Sequence, residues 1–504
     1  MDMKSGVVFM FKRLVPLCLI LSLLFWPVLP AAAGDVDRGA STVKEIMDYV
    51  HRYHIGKPEV GQLVDGAVRG MLENLGDPYT EYLSPEGLDQ FTGSLEGEMA
   101  GIGVELEGWP PYPAVVKVMP GSPATRAGIR EKDRIIRVDG QEVGGLPLQQ
   151  VVEKIRGPAG SRVVLTIRRS GGQDLTVEVN RENLNLPTLE WQMLPGNTGY
   201  INIRTFGSRT AEELKAVLEK WQPAGISGLI LDLRSDPGGY LQAAVDIAGY
   251  FLPAGQLVVT TVDRDGRKEN YYTAGRAMAA GIPLVVLVDG MTASAAEVLA
   301  GALQDYKAAV LVGDRTYGKG VVQAIIPLEA GGALKITVAR YLTPRGRSID
   351  GSGLAPDRWV LTPALQLPAA RQELHPGAPR TVIFDLKGGA VMVGGEECPG
   401  GLPAQVRSGD VYLPLRFTLE ALGFQVRWQE EGRLVFIDAP GRKAVLHVDR
   451  NTVTINGLEQ PLGGTLYSPA GSLYAPLSLF TTLGVTVSPP EEHLKLELSP
   501  GKQE

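Results

Sequence analysis

Between Leu186 and Pro363, apolar runs (GYINIR, GLILDLR, LVVTTV, PLVVLV, AVLVG) alternate with Ala-rich helical stretches such as Ala211 to Trp221. Strands buried on both faces read as near-continuous apolar runs, and their alternation with helices demands a layered α/β sheet. The flanks read differently. Ser41 to Phe91 repeats apolar residues at helical spacing (Val43, Ile46, Met47, Val50, then Leu63, Val68, Met71, Leu72) and closes on DPYTEYLSPEGLDQF, a turn and a short helix. Glu96 to Asn180 reads as short strands with one or two helices. Beyond a polar, Pro-rich stretch, Val411 to Trp428 is echoed by Leu473 to Val487, an internal repeat of roughly sixty residues. The expectation is a multidomain α+β chain: signal segment 1–33, helical region 35–95, small β module 96–182, α/β core 183–365, linker 366–380 and α+β repeat module 381–500.

A net charge of −7 excludes a nucleic-acid binder built on a basic face. Lys4, Lys12 and Arg13 precede an apolar run from Leu14 to Leu29, and Ala31-Ala32-Ala33 follows. This is the pattern of a cleaved export signal, with an uncleaved anchor as the alternative. The expected location is extracytoplasmic, membrane-associated or secreted. Cys18 falls inside the signal, which leaves Cys398 as the mature chain's only cysteine and excludes an intramolecular disulfide. His51 and His54 share a helical face without a third ligand, so neither metal nor other cofactor is expected.

Chemistry concentrates between Met291 and Gln323. Ser294 stands among Ala293, Ala295 and Ala296 at a helix start, where free amides favour developing negative charge. Ser294 to Glu297 also spells S-x-x-E, an ordinary helix capping box. Lys319 lies between Gly318 and Gly320 at the head of the strand VVQAIIPL, where burial disfavours an ammonium and makes a general base. The five histidines, at positions 51, 54, 375, 447 and 493, all lie outside this segment. Gln323, four residues after Lys319, is placed to orient it. Gly313 to Lys319 also reads G-x-x-x-x-G-K, but a glycine follows and then a strand, so neither the magnesium ligand nor the phosphate-binding helix of a P-loop is present. The turn DLRSDPGGY offers Gly238 and Gly239 as oxyanion donors beside the Ala295 amide.

Glu96 to Asn180 resembles a PDZ domain through the GIGV loop (Gly101, Ile102, Gly103, Val104), SPATRAGI, DRIIRVDG and a helix ending Ile155-Arg156-Gly157. Such a loop gathers backbone amides around a chain-terminal carboxylate beside an open sheet edge. With DPYTEYL, LDLRSDPGG, TASAAEVLAGALQD, GDRTYGKGVVQ and YLTPRGRSIDGSGLAPD, residues from Ser41 to Asp357 resemble the carboxyl-terminal processing peptidases, or tail-specific proteases. The resemblance implies Ser294 as nucleophile, Lys319 as base, Gln323 as support, Asp305 as a structural residue, and an oxyanion hole from Ala295 and a glycine of Pro237-Gly238-Gly239. It implies protein substrates with apolar C-terminal tails, a PDZ domain that gates the site through Arg156, and a homodimer. Ala296, Tyr317 and Asp236 stand where the family often has Ser, Phe and Asn. The C-terminal repeat resembles the N-terminal domain of copper amine oxidases, but His447 and His493 are isolated, so a structural or adhesive module at the membrane or cell wall is expected rather than a copper site. The alternative reading is a catalytically silent scaffold that binds protein C-termini at the cell envelope.

Overall fold

The computed structural model describes residues 33–499 except 109, 170, 440 and 441, so the expected signal run and Cys18 lie outside the described residues. The first compact unit closes at Pro78 and the second opens at Tyr79. In the first, helices Ala33–Tyr53 and Val60–Glu73 pack on each other through Val43, Met47, Val50 and Leu63. Their apolar periodicity overruns that contact: Ile46 and Met71 are 57% and 64% exposed. His51 Nδ1 lies 3.0 Å from the Pro58 carbonyl, and His54 Nδ1 accepts the Gly56 N–H. Among the described residues no group of His, Cys, Asp and Glu is arranged to hold a metal.

In the second unit the stretch Tyr79 to Leu83, the end of DPYTEYL, does more than end a helical region. Glu81–Leu83 is a strand, paired antiparallel to Ala333–Leu342, and Ser84 caps the helix Pro85–Leu95 by accepting the Gly87 N–H. The same long strand carries Val321–Pro327, which follows Lys319, on its other register.

The β module is one sheet in the order Val104–Glu107, Ala114–Val118, Arg134–Val138, Arg162–Arg168, Asp174–Asn180, with helix Leu148–Ile155 burying Val151 and Ile155 against it. Gly103 has φ +83°, and a Cβ there would meet Ser122 at 2.3 Å, so the GIGV loop requires that glycine. Ile102 is buried and Val104 half-buried. Arg156 ends the module's helix and is exposed, whereas buried Arg181 ties that end down through the Ile155 carbonyl and the Ser161 hydroxyl.

The α/β core has six strands in the order Leu189–Leu194, Thr198–Ile203, Gly228–Asp232, Leu284–Val288, Val310–Gly313, Arg358–Trp359, parallel from the second onward. Burial of every residue in Gly228–Asp232 and Leu284–Val288 explains their unbroken apolar sequence. One face packs on helices Thr210–Trp221, Leu241–Phe251 and Ala295–Asp305.

The other face corrects an expectation. The stretch read as a linker over 366–380 is largely the helix Pro363–Leu374, which buries Leu365, Ala369, Ala370 and Leu374 in one cluster with Ile230, Val285, Leu287 and Val312 of the sheet. Its polar surface hid this in the sequence. Phe384, Phe417 and Leu419 of the C-terminal module belong to that same cluster. The buried Glu420 carboxylate accepts the N–H groups of Leu361 (3.3 Å) and Thr362 (3.0 Å). Arg358, on the last sheet strand, pairs with Glu373, which also meets Arg380. Both repeat halves form strand, helix, strand, and Asp410–Pro414 pairs antiparallel with Tyr474–Pro476. We therefore expect a chain ending at Arg380 to unfold several degrees below the full chain, or to aggregate, because this face loses its apolar cover. Equal thermal midpoints would show that the module is only tethered.

No described helix is long and apolar enough to cross a membrane.

Candidate active site

Two β-to-loop exits of the sheet converge on Ser294. After strand Leu284–Val288, the Asp289 carboxylate gathers the N–H groups of Met291, Thr292 and Ser235, joining the Ser294 turn to the turn that follows Asp232. Ser294 then has φ +55° and ψ −119°, a region costly for a residue with a Cβ. Such strain persists only where neighbours over-determine it. Glu297 Oε2 accepts the Ser294 N–H at 3.0 Å, and the Ser294 carbonyl accepts from Val298 N–H at 2.9 Å with the Tyr341 hydroxyl 3.2 Å away. The strained residue heads the helix Ala295–Asp305, whose Ala-rich sequence lets it lie almost wholly buried.

Glu297 does far more than cap that helix. It is fully buried and takes four hydrogen bonds: Ser294 N–H (3.0 Å), Thr316 Oγ1 (2.5 Å), Gly318 N–H (2.8 Å) and Lys319 N–H (2.9 Å). Burial pushes its pKa up, against the pull of those donors. One carboxylate thus pins the main chains of Ser294 and Lys319 together. Tyr341, buried beside it, bridges the carbonyl side, 2.5 Å from the Lys319 oxygen and 3.2 Å from that of Ser294. Sequence reading missed both roles; the S-x-x-E spacing was the signal for Glu297, and nothing local marked Tyr341.

The glycines around Lys319 have a shared cause. Gly318 has φ +89°, with Gly353 N 2.8 Å from where its Cβ would lie, and a Cβ on Gly320 would meet Asp350 N at 2.5 Å. The loop lies flat on the segment 349–353, then enters strand Val321–Pro327, as the rejection of a P-loop requires. Lys319 is half-buried, its Nζ 5.0 Å from the centre of the Tyr79 ring. Burial and a hydrogen bond with Tyr317 raise the Tyr79 pKa to about 12, so this phenol is neutral at working pH. Gln323 Nε2 donates to Thr337 Oγ1 across the strand pair at 3.4 Å. Asp305 closes the Ser294 helix and binds the Arg345 N–H and the Arg347 guanidinium, a structural task.

The turn after Asp232 is braced on both sides. Asp232 accepts from Arg234 and from the Tyr200 hydroxyl (2.6 Å), and Arg234 reaches Gln366 on the helix misread as linker. Gly238 (φ +95°) lies against the Ser294 turn, where its Cβ would fall 2.8 Å from Ala295 N and 2.9 Å from Ser294 Cβ. Gly239 lies against the Phe206 main chain, 2.4 Å from its oxygen by the same measure. The Gly238 N–H is already taken at 2.8 Å by Asp236 Oδ1. The Gly101–Val104 loop and Arg156 belong to the separate β module and are not part of this cluster.

Several stretches of the chain are similar to known protein families. Residues 197–360 match peptidase family S41, 115–169 a PDZ domain, 33–87 the activating protease CtpB N-terminal domain, and 392–497 the copper amine oxidase N-terminal domain. The chain is 35% identical over 328 residues to the carboxy-terminal-processing protease of Bartonella bacilliformis, covering 63% of this chain and 74% of that one. It is 36% identical over 326 residues to a "Probable CtpA-like serine protease" of Staphylococcus epidermidis, covering 64% of this chain and only 66% of the relative's length. Among solved structures, a photosystem II D1 C-terminal processing protease is 32% identical, with 66% of this chain and 92% of that one covered at a TM-score of 0.41. The chain belongs to the carboxy-terminal processing proteases, peptidase family S41, and carries a PDZ domain.

Proposed function

We propose that this chain is an exported serine endopeptidase that cleaves proteins near flexible, apolar C-terminal tails, with Ser294 as nucleophile and Lys319 as base. The observation that carries this reading is the single buried carboxylate of Glu297 bound to the main-chain N–H groups of both Ser294 and Lys319. A nucleophile on a strained turn at a helix start, locked to a lysine loop, is the preorganisation that acyl transfer needs. Neutral Lys319 Nζ takes the Ser294 Oγ proton as Oγ bonds to the peptide carbonyl carbon. The C–N bond then breaks, the amine leaves with the proton from Lys319, and water, activated by the same lysine, hydrolyses the ester. The Ala295 amide at the helix start and the Pro237-Gly238-Gly239 turn beside it hold the developing oxyanion. Gln323 supports the lysine side chain. No step calls for a metal or other cofactor.

The GIGV loop of the PDZ domain would receive the carboxylate of a substrate tail, added as a strand at the open edge. Arg156, exposed at the end of the module's helix, is proposed as the relay to the peptidase core. Arg156→Ala is expected to change tail-peptide stimulation severalfold without shifting the thermal midpoint; unchanged activation kinetics would remove Arg156 from the switch. The exposed apolar faces of the N-terminal helices suit a homodimer, and export would place the enzyme at the cell envelope.

The test is time-resolved cleavage of an unstructured protein bearing an apolar tail, with and without added tail peptide. Turnover by the wild type supports the assignment. A folded chain that binds the tail without cleaving it, at any peptide concentration, would replace it with a binding scaffold.

A further inference from the structure

Asp236 is a buried acidic residue of the active-site turns to which the mechanism gives no task. It is 0% exposed, and its Oδ2 has no hydrogen-bond partner among the described residues. Its Oδ1 holds the Gly238 N–H at 2.8 Å, and its main-chain oxygen accepts the N–H of Ala293, the residue before Ser294. The group is therefore bonded one residue before Gly239 and two residues before Ala295, the two sides of the proposed oxyanion site.

The titratable groups on the elements around it are committed elsewhere. On its own strand exit, Asp232 and Arg234 pair with each other. On the turn before Ser294, Asp289 holds Ser235, Met291 and Thr292. On the following helix Glu297 is filled by its four donors. Lys319 Nζ lies over Tyr79. Among the described residues, an ionised Asp236 would thus be a buried anion with one amide for company and no counter-ion. A neutral acid leaves only one hydroxyl unpaired, by far the smaller penalty.

We infer that Asp236 works as a neutral carboxylic acid, an isostere of asparagine, that occupies the Gly238 N–H and so leaves the Gly239 and Ala295 amides as the oxyanion pair. It is a positioning residue, acting on the reaction through the glycine turn. Burial raises its pKa well above the usual carboxylate range, opposed only by the Gly238 N–H. Ionisation would put a negative charge where the transition state gathers one, weakening the hole. The inference rests on the peptidase reading for its rate effects, though not for its effect on stability.

The sign of that stability effect follows from linkage. A carboxyl with a raised folded pKa contributes fully below its unfolded pKa, and the contribution is lost as pH rises toward the folded value. The experiment compares full-length wild type, Asp236→Asn and Asp236→Ala from acidic to alkaline pH, by thermal unfolding and by peptide cleavage. The thermal midpoint of Asp236→Asn should climb relative to wild type as pH rises past the ordinary carboxylate range. Asp236→Ala should lose about tenfold or more in kcat with little change in KM, and Asp236→Asn should restore it. A midpoint difference that is flat with pH, or an Asp236→Asn enzyme as slow as the folded Ala variant, would overturn the proposal. Ser294→Ala run alongside separates the two readings: if it still cleaves, the peptidase assignment has failed, while the unfolding comparison continues to report on Asp236.

Discussion

Ser294→Ala and Lys319→Ala are each expected to lower kcat/KM by about 10⁴-fold or more while leaving the chain folded. In the proposed mechanism Ser294 Oγ forms the covalent bond, and no neighbouring hydroxyl on the helix replaces it, because Ala295 and Ala296 follow. Lys319 is the basic residue whose main-chain N–H Glu297 ties to that of Ser294, and its Nζ lies over the Tyr79 ring, a neutral phenol. The two act as one unit, so the double variant should be barely worse than either single one. Cleavage rates with matched thermal midpoints check this. Additive losses would mean that Lys319 serves binding rather than proton transfer.

The second large effect is on Glu297. Its four partners are all donors, Thr316 included, since the Thr316 hydroxyl already accepts the Leu354 N–H. A carboxylate accepts from all four; an amide cannot, because its NH₂ would face N–H groups. Glu297→Gln should therefore behave almost like Glu297→Ala. The amide leaves two of these buried donors unpaired at about 1–3 kcal/mol each, so about 2–6 kcal/mol of local stability is at stake. Activity should fall further, because the strained φ of Ser294 loses the bond that helps to hold it. Thermal unfolding and cleavage of both variants decide the matter. A Gln variant with wild-type stability and rate would show that the carboxylate is incidental.

The α/β core was legible because its central strands are buried on both faces and so read as pure apolar runs. Ser294, Lys319 and the glycine turn were legible because strain and close approach demand particular residue types, small or glycine, that stand out locally. What stayed hidden depends on distant chain. Tyr79 comes to Lys319 because Glu81–Leu83 pairs with Ala333–Leu342, a register no local pattern encodes. Gln366 reaches Arg234 from a helix whose Pro368 and polar surface read as linker. Glu297 was visible as a capping residue, and only the fold reveals that it holds the lysine loop as well. Asp236 was visible as a departure from a common asparagine, and only its burial gives that departure a consequence.

The most direct test of the account is to map where a serine-directed fluorophosphonate reacts, by peptide mass spectrometry on full-length chain. One adduct is expected, formed on Ser294 Oγ with loss of fluoride, absent in Ser294→Ala and strongly slowed in Lys319→Ala. Labelling that persists in Ser294→Ala, or that proceeds equally fast without Lys319, would contradict it.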